Sequence, residues 1–238
     1  MRLALETATD RASVALGGSS ADAVVRELAG ARRHAAELLP MIDAVLREAG
    51  ARLSDVRGIV LSDGPGSFTG LRVGAAVAKA LVQARGLPLW VAPSLMVRAA
   101  GVAQPGATVL AVADALRGEL YAAAYRFDDR GVETLLAAAV RRPDELVAGD
   151  VSPDVIVGQI PEVAVGVLER WSGRALIGGA AATPHARTLL DLVGRPGGAV
   201  RIDPVEGWQP VYGRPAEAQA RWETAHGRPL PDSIGSRG

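Results

Sequence analysis

The chain's 238 residues are too many for a minimal module and suit one large domain or two lobes of about 100 residues each. Hydrophobic residues make up 49% against 22% charged, which excludes a disordered chain, and Lys+Arg 26 offsets Asp+Glu 26, which excludes a stand-alone basic binder of nucleic acid. Cys 0 excludes disulfides, a cysteine-ligated metal and thiol catalysis together.

The opening Met1-Arg2-Leu3-Ala4-Leu5-Glu6 reaches an acid before the apolar core of a signal peptide can form. No apolar run approaches the roughly 18 to 20 residues that a membrane span needs, so a cytoplasmic protein without a membrane partner is expected. Residues 2–6 and 12–17 carry short β patterns, and 21–28 reads as a third strand after the Gly17-Gly18-Ser19-Ser20 turn, giving an antiparallel meander. Ala35, Leu38, Leu39, Ile42, Val45, Leu46 and Ala49 then recur at helical spacing until Gly50, with Pro40 inside the helix as an expected kink. Residues 57–62 form a short buried-type strand broken by Asp63-Gly64-Pro65-Gly66, and a second helix is predicted over 69–85. Residues 89–92 read as a strand, and Ser94 can cap a third helix. The order β-β-β-α-β-α-β-α predicts a mixed sheet with helices on its faces, the α/β class.

Gln104-Pro105-Gly106 marks a boundary between a unit of residues 1–104 and a smaller one of 105–221. Beyond it, 109–113, 120–127, 134–140 and 154–158 are strand-like, 143–147 starts a short helix, and 183–193 reads as a helix with Pro184 in its first turn. The recurrence suggests two related lobes, with the second copy weaker. From Trp222 the chain turns Gly, Pro and Ser rich, and 222–238 reads as a disordered tail.

The most distinctive stretch is Asp63-Gly64-Pro65-Gly66-Ser67-Phe68-Thr69-Gly70-Leu71-Arg72. A glycine-rich turn before a helix can turn backbone amides toward an anion, which makes Gly64, Gly66, Ser67, Thr69 and Gly70 candidates for a ligand loop. The lysine and spacing of a P-loop are absent. The alternative is a tight turn in which Gly64 and Gly66 supply unusual dihedrals and Ser67 or Thr69 caps the helix.

The helix that follows is apolar almost all round, so it must be covered on more than one side. Gly70, Gly74 and Ala78 form a row of small residues, and Val73, Val77 and Leu81 add apolar bulk; on the preceding helix Ala36, Met41 and Ala44 lie off the core face. These nine positions are expected to form an interaction surface, against the alternative that the two helices pack only on each other. His34, His185 and His226 form no metal-ligand pair, with His34 and Glu37 reading as a surface pair, and no metal is expected. Ser67 lies outside any G-x-S-x-G setting. Glu6, Asp10, Asp63 and Asp114 sit at strand ends, where carboxylates serve metal chemistry or merely turns, and none is assigned a catalytic role.

Five segments together resemble the TsaB (YeaZ) family. They are residues 3–9 with 13–16; Arg33-His34-Ala35-Ala36-Glu37-Leu38-Leu39-Pro40; Gly64 through Gly74; Asp114-Ala115-Leu116-Arg117-Gly118-Glu119-Leu120-Tyr121; and Pro210-Val211-Tyr212-Gly213-Arg214. Alanine at 35 and leucine at 116 depart from the family's usual serine and arginine. The resemblance implies two RNase H-like lobes of the actin/Hsp70/sugar-kinase type (ASKHA), the second one reduced. It implies a cytoplasmic, non-catalytic platform that uses no cofactor, partners the catalytic paralogue TsaD and the ATPase TsaE, and forms a homodimer in isolation. Together these proteins place a threonylcarbamoyl group on tRNA, which would meet this chain through the complex. The first hairpin, Glu6-Thr7-Ala8-Thr9-Asp10, lacks the glycine that a phosphate-binding member of the fold would need. An ATPase or peptidase using the Gly64–Gly70 loop, and a homodimeric regulator without a tRNA role, stay open as alternatives.

Overall fold

The computed structural model describes residues 1–30 and 33–213, so the expected tail, His226 and Arg214 lie outside the described residues. The first half runs β1 (Arg2–Glu6), β2 (Arg11–Gly17), β3 (Val24–Ala29), α1 (His34–Glu48), β4 (Ile59–Ser62), α2 (Phe68–Arg85), β5 (Leu89–Ala92) and α3 (Ser94–Ala100). The second half runs β6 (Thr108–Asp114), β7 (Leu120–Asp128), β8 (Gly131–Arg141), α4 (Pro143–Val147), β9 (Val155–Gln159), α5 (Glu162–Ser172), β10 (Leu176–Ile177), α6 (Ala186–Leu192) and β11 (Val200–Ile202). Up to β11 the two halves have the same element order.

Their sheets repeat as well. The first is ordered β11-β5-β4-β1-β2-β3 and the second β10-β9-β6-β7-β8. In each, a three-stranded antiparallel meander is extended from its first strand by two parallel strands. The chain is therefore α/β with two mixed sheets.

The last helix of each half crosses over. Helix α3 packs on β6, β7 and β9, whereas α6 packs on β1, β2 and β4. Strand β11 then pairs antiparallel with β5 at the edge of the first sheet. Residue 104 thus falls between the two sheets apart from β11, which returns to the first, and the helices that cover them cross over.

Strand alternation sorts the core into three layers. Leu3, Leu5, Val14 and Leu16 face α1 and α2, meeting Leu38, Ile42, Val45 and Ala78. Ala4, Ala15, Val60 and Ala92 face the other way, joining Val109, Ala111, Tyr121 and Ala123 of the second sheet and Leu189 and Leu190 of α6 in a shared central layer. Leu110, Val112 and Ile156 meet Leu146 of α4 and Leu168 of α5 on the far side. Small residues on the inner faces let the two sheets close on α3 and α6.

Several local expectations need correction. Strand β3 starts at Val24 because the Asp22 carboxylate accepts the amides of Gly18 and Ser19 and the Ser19 hydroxyl, which holds a turn there. Ser94 does not cap α3; its hydroxyl accepts the Gly64 amide instead. Helix α6 is shorter than 183–193, and His185 caps it by accepting the Arg187 amide on Nδ1. The helix over 162–172 was not anticipated, nor were the strands at 176–177 and 200–202. Helix α1 continues through Pro40, which sits on its exposed side.

Candidate partner interface

The glycine signature closes on the protein's own backbone. Residue 64 is left-handed with φ 109°, and a Cβ there would run into the Val211 carbonyl oxygen. A Cβ on Gly66 would strike the Ala8 carbonyl oxygen, and one on Gly70 the Thr7 carbonyl oxygen. On Gly74 it would meet the Thr7 hydroxyl. The amides are engaged in the same way: Gly64 donates to Ser94 Oγ at 3.0 Å, Ser67 to the Ala8 carbonyl at 2.7 Å, and Gly70 to Ser67 Oγ at 3.2 Å. Of the five ligand-loop candidates only Thr69 is exposed. The turn-and-cap alternative describes this loop: Ser67 caps α2, and the glycines let the first hairpin and the 209–213 segment lie against it.

Beneath the loop lies a buried polar seam. Glu6 ends β1 fully buried, with Oε1 accepting the Ala8 amide at 2.7 Å. Burial pushes its carboxyl up to about 7, against the opposing pull of the Ser62 hydroxyl, the Ala8 amide and the Arg98 guanidinium. Arg98 of α3 is itself buried, which lowers it to about 10, and its Nη1 donates to the Val112 carbonyl of β6 at 2.7 Å. Burial likewise raises Asp63 to about 6. The seam thus ties the end of β1 to the second sheet.

His34 is not the surface residue its spacing suggested. It is buried beside Gly70, its Nε2 lies 3.3 Å from the Asp10 carbonyl, and Glu37 pairs with Arg33 instead. Likewise His185 Nε2 lies 2.8 Å from Glu27 Oε1, a carboxylate shared with Arg11. Among the described residues no group of three His, Asp or Glu side chains is placed to hold a metal ion.

The outer side of α1 and α2 is a different kind of surface. Of the nine expected interface positions, Met41, Gly70, Gly74 and Ala78 are buried inside the protein. Met41 and Ala78 belong to the core beneath the helices, and Gly70 and Gly74 face Thr7. The remaining five keep access to solvent: Ala36 is exposed, and Ala44, Val73, Val77 and Leu81 are half-buried. Leu39, which the periodicity placed in the core, is 58% exposed and belongs with them, as do Ala76 and Ala80. The result is an apolar surface across two neighbouring helices.

A C-terminal strap bounds this surface. The chain's single lysine, Lys79, donates to the Glu206 carbonyl at 3.2 Å and lies 5.7 Å from the Trp208 ring centroid. Further along, the Tyr212 ring packs tilted against Phe68 with centroids 4.7 Å apart, and the Arg72 guanidinium stands 4.4 Å over Phe68. The Val211 amide donates to the Asp63 carbonyl at 2.7 Å. Sequence reasoning did not find this strap; the only signal was the Pro210–Arg214 motif.

Comparison with known proteins gives three results. The family model described as "TsaD: tRNA N6-adenosine threonylcarbamoyltransferase" matches residues 21–164. Two curated relatives carry the name "tRNA threonylcarbamoyladenosine biosynthesis protein TsaB". The one from Escherichia coli is 39% identical over 132 residues, 55% of this chain and 57% of that protein. The one from Haemophilus influenzae is 40% identical over 121 residues, 50% of this chain and 51% of that protein. The chain thus spans about half the length of these curated relatives. The solved structure of YeaZ from Pseudomonas aeruginosa matches with a TM-score of 0.70 at 33% identity, covering 89% of this chain and 100% of that one.

Proposed function

The chain belongs to the TsaB (YeaZ) family, and from that premise we propose that it is a non-catalytic platform in threonylcarbamoyladenosine modification of tRNA. On this reading its α1–α2 surface docks the matching helices of the paralogue TsaD, or of a second copy when TsaD is absent. TsaE joins the complex, and tRNA meets this chain through it. The repeated strand order supports assigning the two halves to RNase H-like lobes of the actin/Hsp70/sugar-kinase type, with residues 1–104 carrying the interface and 105–221 the lobe with the smaller sheet. Among the described residues no helix is long and apolar enough to cross a membrane, which agrees with a cytoplasmic place of work.

One observation carries the reading. Ala36, Leu39, Val73 and Val77 leave an apolar face open on the two helices, while the neighbouring glycine loop is filled by Ala8, Thr7 and Val211. Exposed apolar surface of this kind marks a protein partner more often than a small ligand. The test is reconstitution of tRNA modification from purified TsaD and TsaE, with and without this chain. Modification that depends on the chain, and survives loop variants that still fold, supports a platform. Turnover of ATP or peptide by the chain alone, abolished by Ser67→Ala, would overturn it.

A further inference from the structure

The two helices of the proposed docking face carry charge very differently. Helix α2 holds Arg72, Lys79 and Arg85 and not one acid, whereas α1 holds Glu37, Asp43 and Glu48 against Arg47. Each of those three carboxylates already has an arginine of its own chain: Arg33 for Glu37, Arg47 for Asp43 and Arg26 of β3 for Glu48. None of the three cations of α2 forms an ion pair among the described residues. The strap does bring Glu206 beside Lys79, but it is the backbone carbonyl that accepts from the ammonium.

The unpaired charge sits on the apolar face itself. Arg72, Ala76, Ala80 and Gln83 follow one another at helical spacing, which sets them in one row along α2, and all four are exposed. Lys79, half-buried, borders that row. Arg72 is held in place there, its guanidinium 4.4 Å over Phe68 and 6.0 Å from the Tyr212 ring centroid. A cation covered by a docking partner costs free energy unless it meets an opposite charge. A second copy has none to spare on these helices. Its α1 would present carboxylates that are already paired, and its α2 three more cations. Nucleic acid fits less well as the occupant, because alanines and valines rather than hydrogen-bonding side chains fill the space between the cations.

We propose that the α1–α2 face selects a protein partner whose facing helices carry free carboxylates opposite the Arg72–Gln83 row, and that the unpaired cations of α2 disfavour a second copy. This selection rests on the docking role proposed for α1–α2. The test measures self-association and TsaD binding of the full chain by analytical ultracentrifugation, at about 50 and about 500 mM sodium chloride. It compares the wild type with Arg72→Glu, which lowers the three positive charges of α2 to a net one, and with Gln83→Glu, which leaves the Arg72–Phe68 contact untouched. Both substitutions should move the two equilibria in opposite directions. For Arg72→Glu, TsaD binding is expected to weaken about tenfold or more and self-association to tighten about threefold or more. Raising the salt should tighten wild-type self-association and weaken TsaD binding.

Opposed signs are a result that misfolding cannot imitate, since a damaged face would weaken both equilibria together. Such joint weakening by Arg72→Glu, with Gln83→Glu unchanged, would make Arg72 a packing residue and overturn the selection. Unaltered equilibria in both variants, with wild type still joining TsaD, would overturn it while leaving the docking face standing. Weaker tRNA binding by the assembled complex, at unchanged TsaD affinity, would assign the row to phosphates, against the proposal. A wild type that joins neither itself nor TsaD would overturn the docking role, and the selection with it.

Discussion

Glu6 makes the stability of this protein depend on pH in a window where ordinary carboxylates have finished titrating. Its carboxyl is raised from 4.5 to about 7, chiefly by burial. Between those values the folded state holds a proton that the unfolded state has released. Stability is therefore fully present below about 4.5 and is lost as pH rises through about 7. A difference of that size corresponds to roughly 3 kcal/mol across the window. The carboxylates of Asp22, Glu27 and Asp128 are lowered, so their contributions are lost only in more acid solution. Asp63, raised from 3.8 to about 6, adds a decline of similar size and the same sign that is largely complete by that pH.

The assay is urea unfolding of the wild type and Glu6→Gln at pH 5, 6, 7 and 8, compared by slope. Comparing slopes sets aside any constant cost of the glutamine itself. Glu6→Gln should remove about 3 kcal/mol of the wild-type decline and leave the Asp63 dependence, which over these pH values is confined to the interval below about 6. Parallel wild-type and variant curves would refute the reasoning, since the proton could not then reside on Glu6.

Other substitutions probe the same joint. Gly70→Ala places a methyl against the Thr7 carbonyl, between elements that have no room to separate, and should destabilise by about 1–3 kcal/mol in urea melts. If Gly70→Ala were neutral, the loop would not be the packing joint described above. Arg98→Met removes a buried charged donor from the Val112 carbonyl and should destabilise by about 2–3 kcal/mol. It should also shift the Glu6 decline to higher pH, because the nearby positive charge that favours the carboxylate is gone; an unshifted decline would uncouple the two groups.

Much of the first half was legible because its elements carry strong local signals. The α1 period, the Gly50 stop and the Ser67 cap all appear where periodicity and turn chemistry put them. Strand β10 is only two residues long, and α5 follows a proline without a side-chain cap, so neither advertises itself. The crossing of α3 and α6 between sheets is a long-range choice that no local pattern encodes. The glycines were visible, but not what they approach, because Thr7, Ala8 and Val211 come from distant parts of the chain. For the same reason Leu39 passed for a core residue. Helical spacing gives a face, whereas the width of the buried stripe depends on how α1 sits on β2, β3 and α2.

The claim that the α1–α2 face is a docking surface is tested most directly by solution mass. Light scattering would follow the wild type, Leu39→Glu and Val77→Glu, each alone and mixed with TsaD from the same organism. Leu39 is 58% exposed, so a charge there should change the stability of the isolated chain by no more than about 0.5 kcal/mol. The wild type should form a one-to-one complex with TsaD, and both variants should remain folded and fail to join it. A complex of unchanged mass and affinity with both variants would contradict the account and place the interface elsewhere on the molecule.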